Sequence, residues 1–433
     1  MSQLDTGMVT VAYPTLHRAF AVPVSTVVWV GLSTLLTVVA TLVAFGKRAD
    51  MWGRKRVYVD GFVVFVAGAL AAALAQSFSW LVAARVVEGI GVAMIQANSV
   101  AIVTASVPKD KRTTALGLQA TSQAAGLALG PLIGGLVLAE LSWRWLFVAA
   151  VPIALIAMPA ALLFIPRSRD LRPVVRLDLV GAALIGMAAV GIIGSFTAGA
   201  KSGWGGPAPY LLVVGVAAAA VLVPVERRVA NPLLNIATFK DRRVSGGLVT
   251  ATLTYLTFFG VLVATPFYVE ALDHSTATAG LVTMALPIGL AVVAPFSGVL
   301  RRKVAEQLAL PVAFVVVAVG LAGASRSSDL VAVAGCLFVA GLGLGVANTM
   351  NNASIMEGVV ATDRGSASAL VNMMRALGTA LGLAIVTSLL AALGGANAIS
   401  GPRGTLTLLV VVPLVSAVAC AVIVPSRRRT SSA

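Results

Sequence analysis

The stretch that decides the fold runs Gly46-Lys-Arg-Ala-Asp50-Met-Trp-Gly53-Arg54-Lys55-Arg56, a short, strongly basic segment between two long apolar runs. The uncharged stretches Val27–Gly46 before it and Gly61–Ala84 after it each have about the twenty residues that a helix needs to cross a bilayer. Charged residues between two such runs are typical of a loop at a membrane surface. The segment therefore predicts two membrane helices joined by a tight turn.

The composition of the whole chain agrees with this local pattern. Of its 433 residues, 59% are hydrophobic and only 11% are charged. A soluble protein carries about 25% charged residues, and a disordered chain is polar and highly charged, so both classes are excluded. The apolar runs are continuous and do not alternate with polar residues, which argues against a β-barrel. We therefore expect an all-α integral membrane protein.

Uncharged apolar runs predict thirteen membrane-spanning helices, and Met1–Leu16 is a fourteenth candidate. From Met1 to Pro14 a helix would rise only about 21 Å, against a hydrocarbon core of about 30 Å. We therefore expect this first helix to be truncated, with its true start about ten residues upstream. After the first two spans, a third begins near Ser79. The other ten are Thr113–Ala139, Trp145–Pro166, Leu179–Ala200, Tyr210–Val225, Val244–Val269, Ser275–Leu300, Gln307–Ser325, Leu330–Met356, Gly365–Leu393 and Gly404–Ser426.

Basic residues predict the orientation of these spans. If the segment after Val27–Gly46 is cytoplasmic, 24 of the 31 Lys and Arg residues fall on the cytoplasmic side, five outside and two within spans. This asymmetry is the positive-inside pattern. It explains the formal charge of +15 without nucleic acid as a partner. It also predicts two cytoplasmic termini and an even number of crossings, hence fourteen, in the cytoplasmic (inner) membrane.

The order of the spans predicts three regions. Residues 1–166 form a six-helix bundle, residues 167–243 hold two extra helices and linkers, and residues 244–433 form a second six-helix bundle with a basic tail. A weak repeat of the basic loop, Gly298-Val-Leu-Arg301-Arg302-Lys303, follows the second span of the last six but lacks the aspartate. Repeated halves around a central site are the usual architecture of transporters.

The basic loop resembles the signature G-x-x-x-D-x-x-G-R-K/R-x of the major facilitator superfamily at Gly46, Asp50, Gly53, Arg54 and Lys55. Its glycines would permit the tight turn between the two helices. Asp50 would cap a helix N-terminus or pair with the basic residues. We expect such a charge cluster to latch the two bundles together on the cytoplasmic side.

Three further stretches resemble the fourteen-helix drug:proton antiporters of that superfamily. Leu4–Pro14 resembles the first-helix motif L-D-x-T-x-V-N-V-A-L-P, from which Gly7, Thr10 and Tyr13 depart. Gly126–Gly135 resembles the fifth-helix antiporter motif, and Trp143-Arg-Trp-Leu-Phe147 resembles the start of the sixth helix. The resemblance covers nearly the whole chain and implies the major facilitator fold.

The fifth-helix motif has a physical meaning of its own. Gly126, Gly130 and Gly134 recur every fourth residue, so they share one helix face and allow a neighbouring helix to approach closely. Pro131 adds a bend. The resemblance implies that this bend resists leak and favours exchange, whereas packing alone would also explain the glycines.

Ionisable residues inside spans are costly, and they indicate function. Asp5, Arg85 and Glu88 are the main ones. Since arginine stays protonated, Asp5 would be anionic when paired with Arg85 and neutral when the helices separate, which makes it the expected proton carrier. Glu88, one turn from Arg85, is a second proton carrier, a contact for a cationic substrate, or only a partner that neutralises the arginine.

Other polar residues within the spans have weaker indications. The candidate cavity residues, which could instead only bond between helices, are Thr10, Gln96, Asn98, Gln119 and Gln123. Arg375 matches the superfamily pattern and is expected at the inner gate, and Glu270 is expected to be solvated. No nucleotide-binding lysine motif and no metal-ligand cluster is recognisable. We therefore expect no enzyme, no cofactor and no metal, with a proton gradient as the energy source.

The sequence thus predicts a proton-coupled antiporter that exports small amphipathic or cationic compounds, as in drug or antibiotic efflux, and works as a monomer. A lipid or siderophore exporter of the same superfamily is an alternative. Uptake or passive facilitation of a nutrient, and a membrane protein that does not transport, such as a receptor, are two others.

Overall fold

A computed structural model of the chain describes residues 1–108, 112–165, 178–229, 242–293, 306–358, 364–393 and 399–423. Every regular element within these ranges is an α-helix. The helices are α1 (Ser2–Phe20), α2 (Val24–Val27), α3 (Trp29–Trp52), α4 (Arg54–Ala73), α5 (Phe78–Ser106), α6 (Arg112–Glu140), α7 (Arg144–Ala149), α8 (Val151–Phe164), α9 (Leu179–Ser202), α10 (Ala208–Arg228), α11 (Arg242–Glu270), α12 (Thr276–Thr283), α13 (Ala285–Val293), α14 (Glu306–Arg326), α15 (Leu330–Gly358), α16 (Arg364–Ala392), α17 (Ser400–Leu409) and α18 (Val411–Ile423).

Twelve helical segments of the described residues are long and apolar enough to cross a membrane. Four of them consist of two short helices in line, namely α2 with α3, α7 with α8, α12 with α13, and α17 with α18. Helix α1 is outside this set, and α6 has only a shorter apolar stretch, Ala125–Glu140. The all-helical membrane architecture is confirmed, whereas a count of fourteen requires that α1 and α6 cross as well.

The first helix is longer than predicted. It continues through Pro14 to Phe20, a length of 19 residues or about 28 Å. Proline removes one backbone hydrogen bond and usually bends a helix without having to end it. The prediction that this helix ends near Leu16 was therefore wrong.

The two ends of the helices can be named from the basic loop. We call the end where α3 meets α4, at Trp52 and Arg54, the basic end, and the other the opposite end. Trp80, Trp145 and Trp204 lie at the opposite end, and each is more than half exposed. Exposed tryptophans at one level are typical of a membrane interface.

The same packing arrangement occurs twice along the chain. In the first half α1 packs against α6, and α5 packs against both α3 and α4. In the second half α11 packs against α16, and α15 packs against both the α12–α13 segment and α14. The internal repeat is thus clear in the packing, although the sequence carries it only as the weak echo at 298–303, which lies outside the described residues.

The main contacts between the two halves are those of α1 with α11, of α3 with α16, and of α6 with both α12 and α13. Close contacts near the opposite end include those of Gly135 with Gly280 and of Gly31 with Leu383. Of the two extra helices, α9 lies against both α3 and α16, and the Ser388 hydroxyl donates a hydrogen bond to the Phe196 carbonyl at 2.9 Å. Helix α9 therefore lies along the seam between the halves.

Glycines set the distance between α1 and α6. A Cβ added to Gly130 would lie 2.6 Å from the Cα of Gly7, and one added to Gly134 would lie 2.9 Å from the Cα of Met8. These separations are shorter than van der Waals contact, so the two backbones would have to move apart. By contrast, a Cβ added to Gly126 would meet its nearest atom, the backbone nitrogen of Leu4, at 3.4 Å.

We predict that Gly130→Ala is destabilising and that Gly126→Ala is tolerated. Overpacking of a tight contact costs roughly 1–3 kcal/mol, whereas both substitutions gain about the same helix propensity. Thermal unfolding of the purified protein in detergent measures the difference between the two variants. Equal melting temperatures for them would contradict the assignment of Gly130 to the α1–α6 contact.

Candidate functional site

Three charged side chains meet in the interior of the first half. Asp5 is contributed by α1, and Arg85 and Glu88 lie one turn apart on α5. Their residue exposures are 2%, 2% and 0%, respectively, so all three are removed from the surface. We call these three residues the charge cluster.

Arg85 is the centre of the charge cluster. Its Nη1 and Nη2 donate to the two carboxylate oxygens of Asp5 at 3.1 and 2.9 Å, which is a bidentate pair. Nη1 also donates to Glu88 Oε2 at 2.7 Å, and Nε donates to the carbonyl oxygen of Val30 on α3 at 3.1 Å. The ring of Phe147 lies 5.5 Å from the guanidinium carbon. The arginine thus links α1, α3 and α5.

Close helix packing holds α5 in position. A Cβ added to Gly68 of α4 would lie 2.5 Å from the backbone nitrogen of Glu88, and one added to Gly89 would lie 2.8 Å from the carbonyl oxygen of Thr34. The Thr34 hydroxyl donates to the carbonyl oxygen of Arg85 at 3.1 Å. The backbone that carries Arg85 and Glu88 is therefore fixed on two sides.

The two carboxylates of the charge cluster have different surroundings. Both oxygens of Asp5 accept hydrogen bonds from Arg85. Glu88 has one such bond, and its second oxygen, Oε1, is buried without a hydrogen-bond partner. Two ionised carboxylates and one guanidinium leave one excess negative charge, which is costly in a medium of low dielectric constant.

Tyr13 belongs to the surroundings of the charge cluster and was not predicted. It is 1% exposed, and it interacts electrostatically with Arg85 and Asp5. Its hydroxyl lies against Gly31 of α3, where an added Cβ would overlap it. The departure of Tyr13 from the first-helix motif was the available signal, but the sequence does not say which residue it faces.

The basic loop differs in detail from the prediction. Gly46 lies inside α3 and takes no part in the turn, which forms at Gly53 with a positive φ of 98°. Asp50 does not cap a helix, and its Oδ1 pairs with Arg54 Nη2 at 2.9 Å. The Lys55 Nζ donates to the carbonyl oxygen of Leu162 on α8 at 2.7 Å. These contacts lie within the first half, and a latch between the halves stays a prediction.

The predicted cavity residues do not form one surface. Thr10 and Asn98 are buried, and their side chains donate to carbonyl oxygens of their own helices at 2.7 and 2.8 Å. Gln96 donates to Ser2 Oγ at 3.4 Å. Gln119 is partly exposed and Gln123 is exposed. A role for these residues in substrate binding stays a prediction.

The fifth-helix motif contacts two other helices, α1 and α12. Gly130 and Gly134 face α1, as described above, and the carbonyl oxygen of Pro131 lies against Gly280 of α12, in the other half. The motif therefore joins the helix that carries Asp5 to the interface between the halves. Its role in conformational change stays a prediction.

Arg375, on α16, is a second charged group within a membrane helix. Its Nη2 and Nη1 donate to the side-chain oxygens of Asn348 and Asn372 at 3.3 and 3.4 Å, and its guanidinium carbon lies 5.2 Å from the ring of Tyr255. The predicted role at the inner gate stays a prediction. The sequence did not reveal these neutral neighbours, which come from three helices.

An ion pair between the halves was missed. Arg18 Nη1, on α1, lies 2.8 Å from Glu270 Oε2, on α11, and the two residues are 252 positions apart. The Glu270 side chain is 14% exposed, so the expectation of a solvated charge was wrong. No local sequence pattern could have paired these residues.

Two similarly packed halves, with paired charges inside the membrane helices, are typical of a membrane transporter. The sequence profile described as Major Facilitator Superfamily matches residues 1–178, 176–383 and 247–433, and the chain belongs to this family. The predicted family is thus confirmed. As a member of a transporter family, the protein is not an enzyme.

Several curated relatives have names that refer to drug resistance. Multidrug resistance protein Stp of Mycobacterium tuberculosis is 28% identical over 90% of this chain and 73% of its own length. Puromycin resistance protein pur8 of Streptomyces alboniger is 29% identical over 89% of this chain and 78% of its own length. Riboflavin transporter RibZ of Clostridioides difficile is 28% identical, over 90% and 86% respectively.

A solved structure shares the fold. The xylose transporter XylE from E. coli, in a partially occluded inward-open conformation, matches with a TM-score of 0.64. The match covers 96% of this chain and 93% of XylE at 12% sequence identity. Such a low identity shows the fold alone.

We predict that Arg85→Gln destabilises the protein far more than Glu88→Gln does. Removal of Arg85 leaves two buried carboxylates without a counter-charge, and breaking a buried pair costs roughly 3–5 kcal/mol. Glu88→Gln preserves the bidentate Asp5–Arg85 pair and removes the excess negative charge. Thermal unfolding in detergent, with expression level as a second readout, checks the order, and an Arg85→Gln protein as stable as Glu88→Gln would contradict it.

Proposed function

We propose that the protein is a proton-coupled antiporter that exports small amphipathic or cationic compounds of the drug and antibiotic type. The observation that carries the proposal is the charge cluster, which has one more carboxylate than guanidinium and a buried Glu88 Oε1 without a partner. A site of this kind is suited to bind and release a proton. The relatives named as resistance proteins support the substrate class.

We assign the exchangeable proton to Glu88 and the permanent ion pair to Asp5 and Arg85. Asp5 holds the arginine through two hydrogen bonds, whereas a proton on Glu88 Oε1 would remove the excess charge and use the unpaired oxygen. This assignment revises the expectation from sequence, in which Asp5 carries the proton. Asp5 then has an indirect role. Its negative charge still balances Arg85 when Glu88 is protonated and neutral.

A cationic substrate would compete with the proton. With Glu88 ionised the charge cluster has a net negative charge and attracts a cation, and with Glu88 protonated it is neutral. Substrate and proton would therefore occupy the protein alternately, which is the requirement for antiport.

Alternating access would come from rocking of the two halves. In the described conformation the Arg18–Glu270 pair and the Gly135–Gly280 contact join the halves near the opposite end. The α1–α6 contact connects the charge cluster to this interface. We propose fourteen crossings including α1 and α6, cytoplasmic termini in the inner membrane, function as a monomer, and a proton gradient in place of a cofactor.

Transport of a nutrient is the second candidate, and it has one specific observation in its favour. Riboflavin transporter RibZ is similar to this chain over 90% of the length of this chain. Under this alternative, riboflavin or a compound like it would compete with a cationic dye for transport.

We predict that Glu88→Gln and Asp5→Asn abolish ethidium export driven by a pH gradient in proteoliposomes. Glu88→Gln has no group to bind the proton, and Asp5→Asn leaves Glu88 as the only counter-charge of Arg85, so Glu88 stays ionised. We expect a loss of roughly tenfold or more in each, with ethidium counterflow without a gradient retained by Glu88→Gln.

Glu140→Gln is the matched control, because Glu140 is an exposed acid at the end of α6. It should export ethidium at the wild-type rate. If Glu88→Gln and Asp5→Asn both export ethidium as the wild type does, the proposed proton coupling through the charge cluster is wrong.

A further inference from the structure

The second half contains an arginine, Arg375, that has no acidic partner among the residues that the structure describes. Arg375 lies 11 residues into α16, well inside the helix, and brings a guanidinium group there. Its described neighbours are the amides of Asn348 and Asn372 and the ring of Tyr255, none of which carries a negative charge. The arginine of the charge cluster, by contrast, has two carboxylates.

No carboxylate among the described side chains of the second half comes near Arg375. Glu270 pairs with Arg18 at the opposite end, and Asp273 is exposed beside it. Asp329 accepts hydrogen bonds from the first turn of α15, also at the opposite end. A charge without a counter-charge inside a membrane helix is costly and is typically functional.

The hydrogen bonds of Arg375 leave capacity for another acceptor. Its two bonds to asparagine oxygens are 3.3 and 3.4 Å long, at the weak end of the range. Its Nε is buried without a hydrogen-bond partner. The site therefore has guanidinium donors that the described protein groups use poorly.

A second asparagine adjoins Asn348, the partner of Arg375. Asn352 lies one turn beyond Asn348 on α15, and its Nδ2 donates to Asn348 Oδ1 at 3.4 Å, while its own Oδ1 is buried without a partner. Arg375, Asn348 and Asn352 are all partly exposed. Asn348 faces Arg375 of α16, and Tyr255 of α11 lies beside the same guanidinium, so the polar group is located among three helices of the second half.

We propose that Arg375, Asn348 and Asn352 form a subsite for a carboxylate group of the transported compound. The fork of a guanidinium matches a carboxylate in a bidentate geometry, and a side-chain amide adds a neutral donor. The inference rests on the proposed function and refines its substrate class. Compounds that carry both a cationic group and a carboxylate would use the charge cluster in one half and Arg375 in the other.

Two dyes that differ in one group test this subsite. Rhodamine 19 carries a cationic xanthene and a free carboxylate, and rhodamine 6G is its ethyl ester. Binding of each dye to the purified protein in detergent is measured by fluorescence anisotropy, which does not depend on transport. We expect Arg375→Gln to weaken binding of rhodamine 19 by roughly tenfold or more, and that of rhodamine 6G less than twofold, because only the acid loses a charge-assisted hydrogen bond.

Two further variants separate a binding role from a structural one. Arg375→Lys keeps the charge but loses the fork, so it should retain part of the preference for the acid. Arg326→Gln is the matched control. Arg326 is an exposed arginine at the last residue of α14, on the side of the molecule away from the basic end. It should bind both dyes as the wild type does.

The inference is overturned if Arg375→Gln weakens the binding of both dyes equally or of neither dye. It is also overturned if rhodamine 19 does not bind to the wild-type protein. Ethidium lacks a carboxylate, so its export decides the proposed function separately. If the wild-type protein does not export ethidium under a pH gradient, the proposed function is wrong, but the comparison of rhodamine 19 with rhodamine 6G can still be made. If that comparison shows no preference for the acid, the carboxylate subsite is wrong, but proton-coupled export is not contradicted.

Discussion

Arg85 is fully buried inside the first half and keeps its charge there, so its counter-charge has to come from within the protein. Arg85 is protonated under all relevant conditions, and burial of an unpaired charge costs far more than a folded protein can tolerate. Asp5 lies within hydrogen-bonding distance of Arg85 although the two residues are 80 positions apart, and it supplies counter-charge together with Glu88. The position of α1 in the first half depends on this pair.

The glycine contacts are the steric counterpart of that electrostatic constraint. Asp5 meets Arg85 of α5 while α1 is packed tightly against α6. Gly7, Gly130 and Gly134 permit this close packing of α1 and α6. On the other side of α5, Gly68 and Gly89 permit α3 and α4 to come equally close. Because α6 also contacts α12, we propose that a change of charge at Glu88 is transmitted through α1 and α6 to the interface between the halves.

The sequence predicted those features that depend on local pattern. The apolar runs predicted most helices, the superfamily motifs predicted the fold, and the high cost of charges within spans singled out Asp5, Arg85 and Glu88. It failed where the outcome depends on contacts between distant helices. Arg18 and Glu270 looked like two separate surface charges, and the two carboxylates of the charge cluster could not be told apart until their hydrogen bonds were known.

The central claim is that binding of a cation displaces a proton from Glu88. The most direct test is a count of the protons released when ethidium is added to purified protein in a weakly buffered solution with a pH indicator, at a pH where Glu88 is protonated. We predict release of about one proton per transporter from the wild-type protein, and no release from Glu88→Gln. Ethidium binding to the wild-type protein without any release of protons would contradict it.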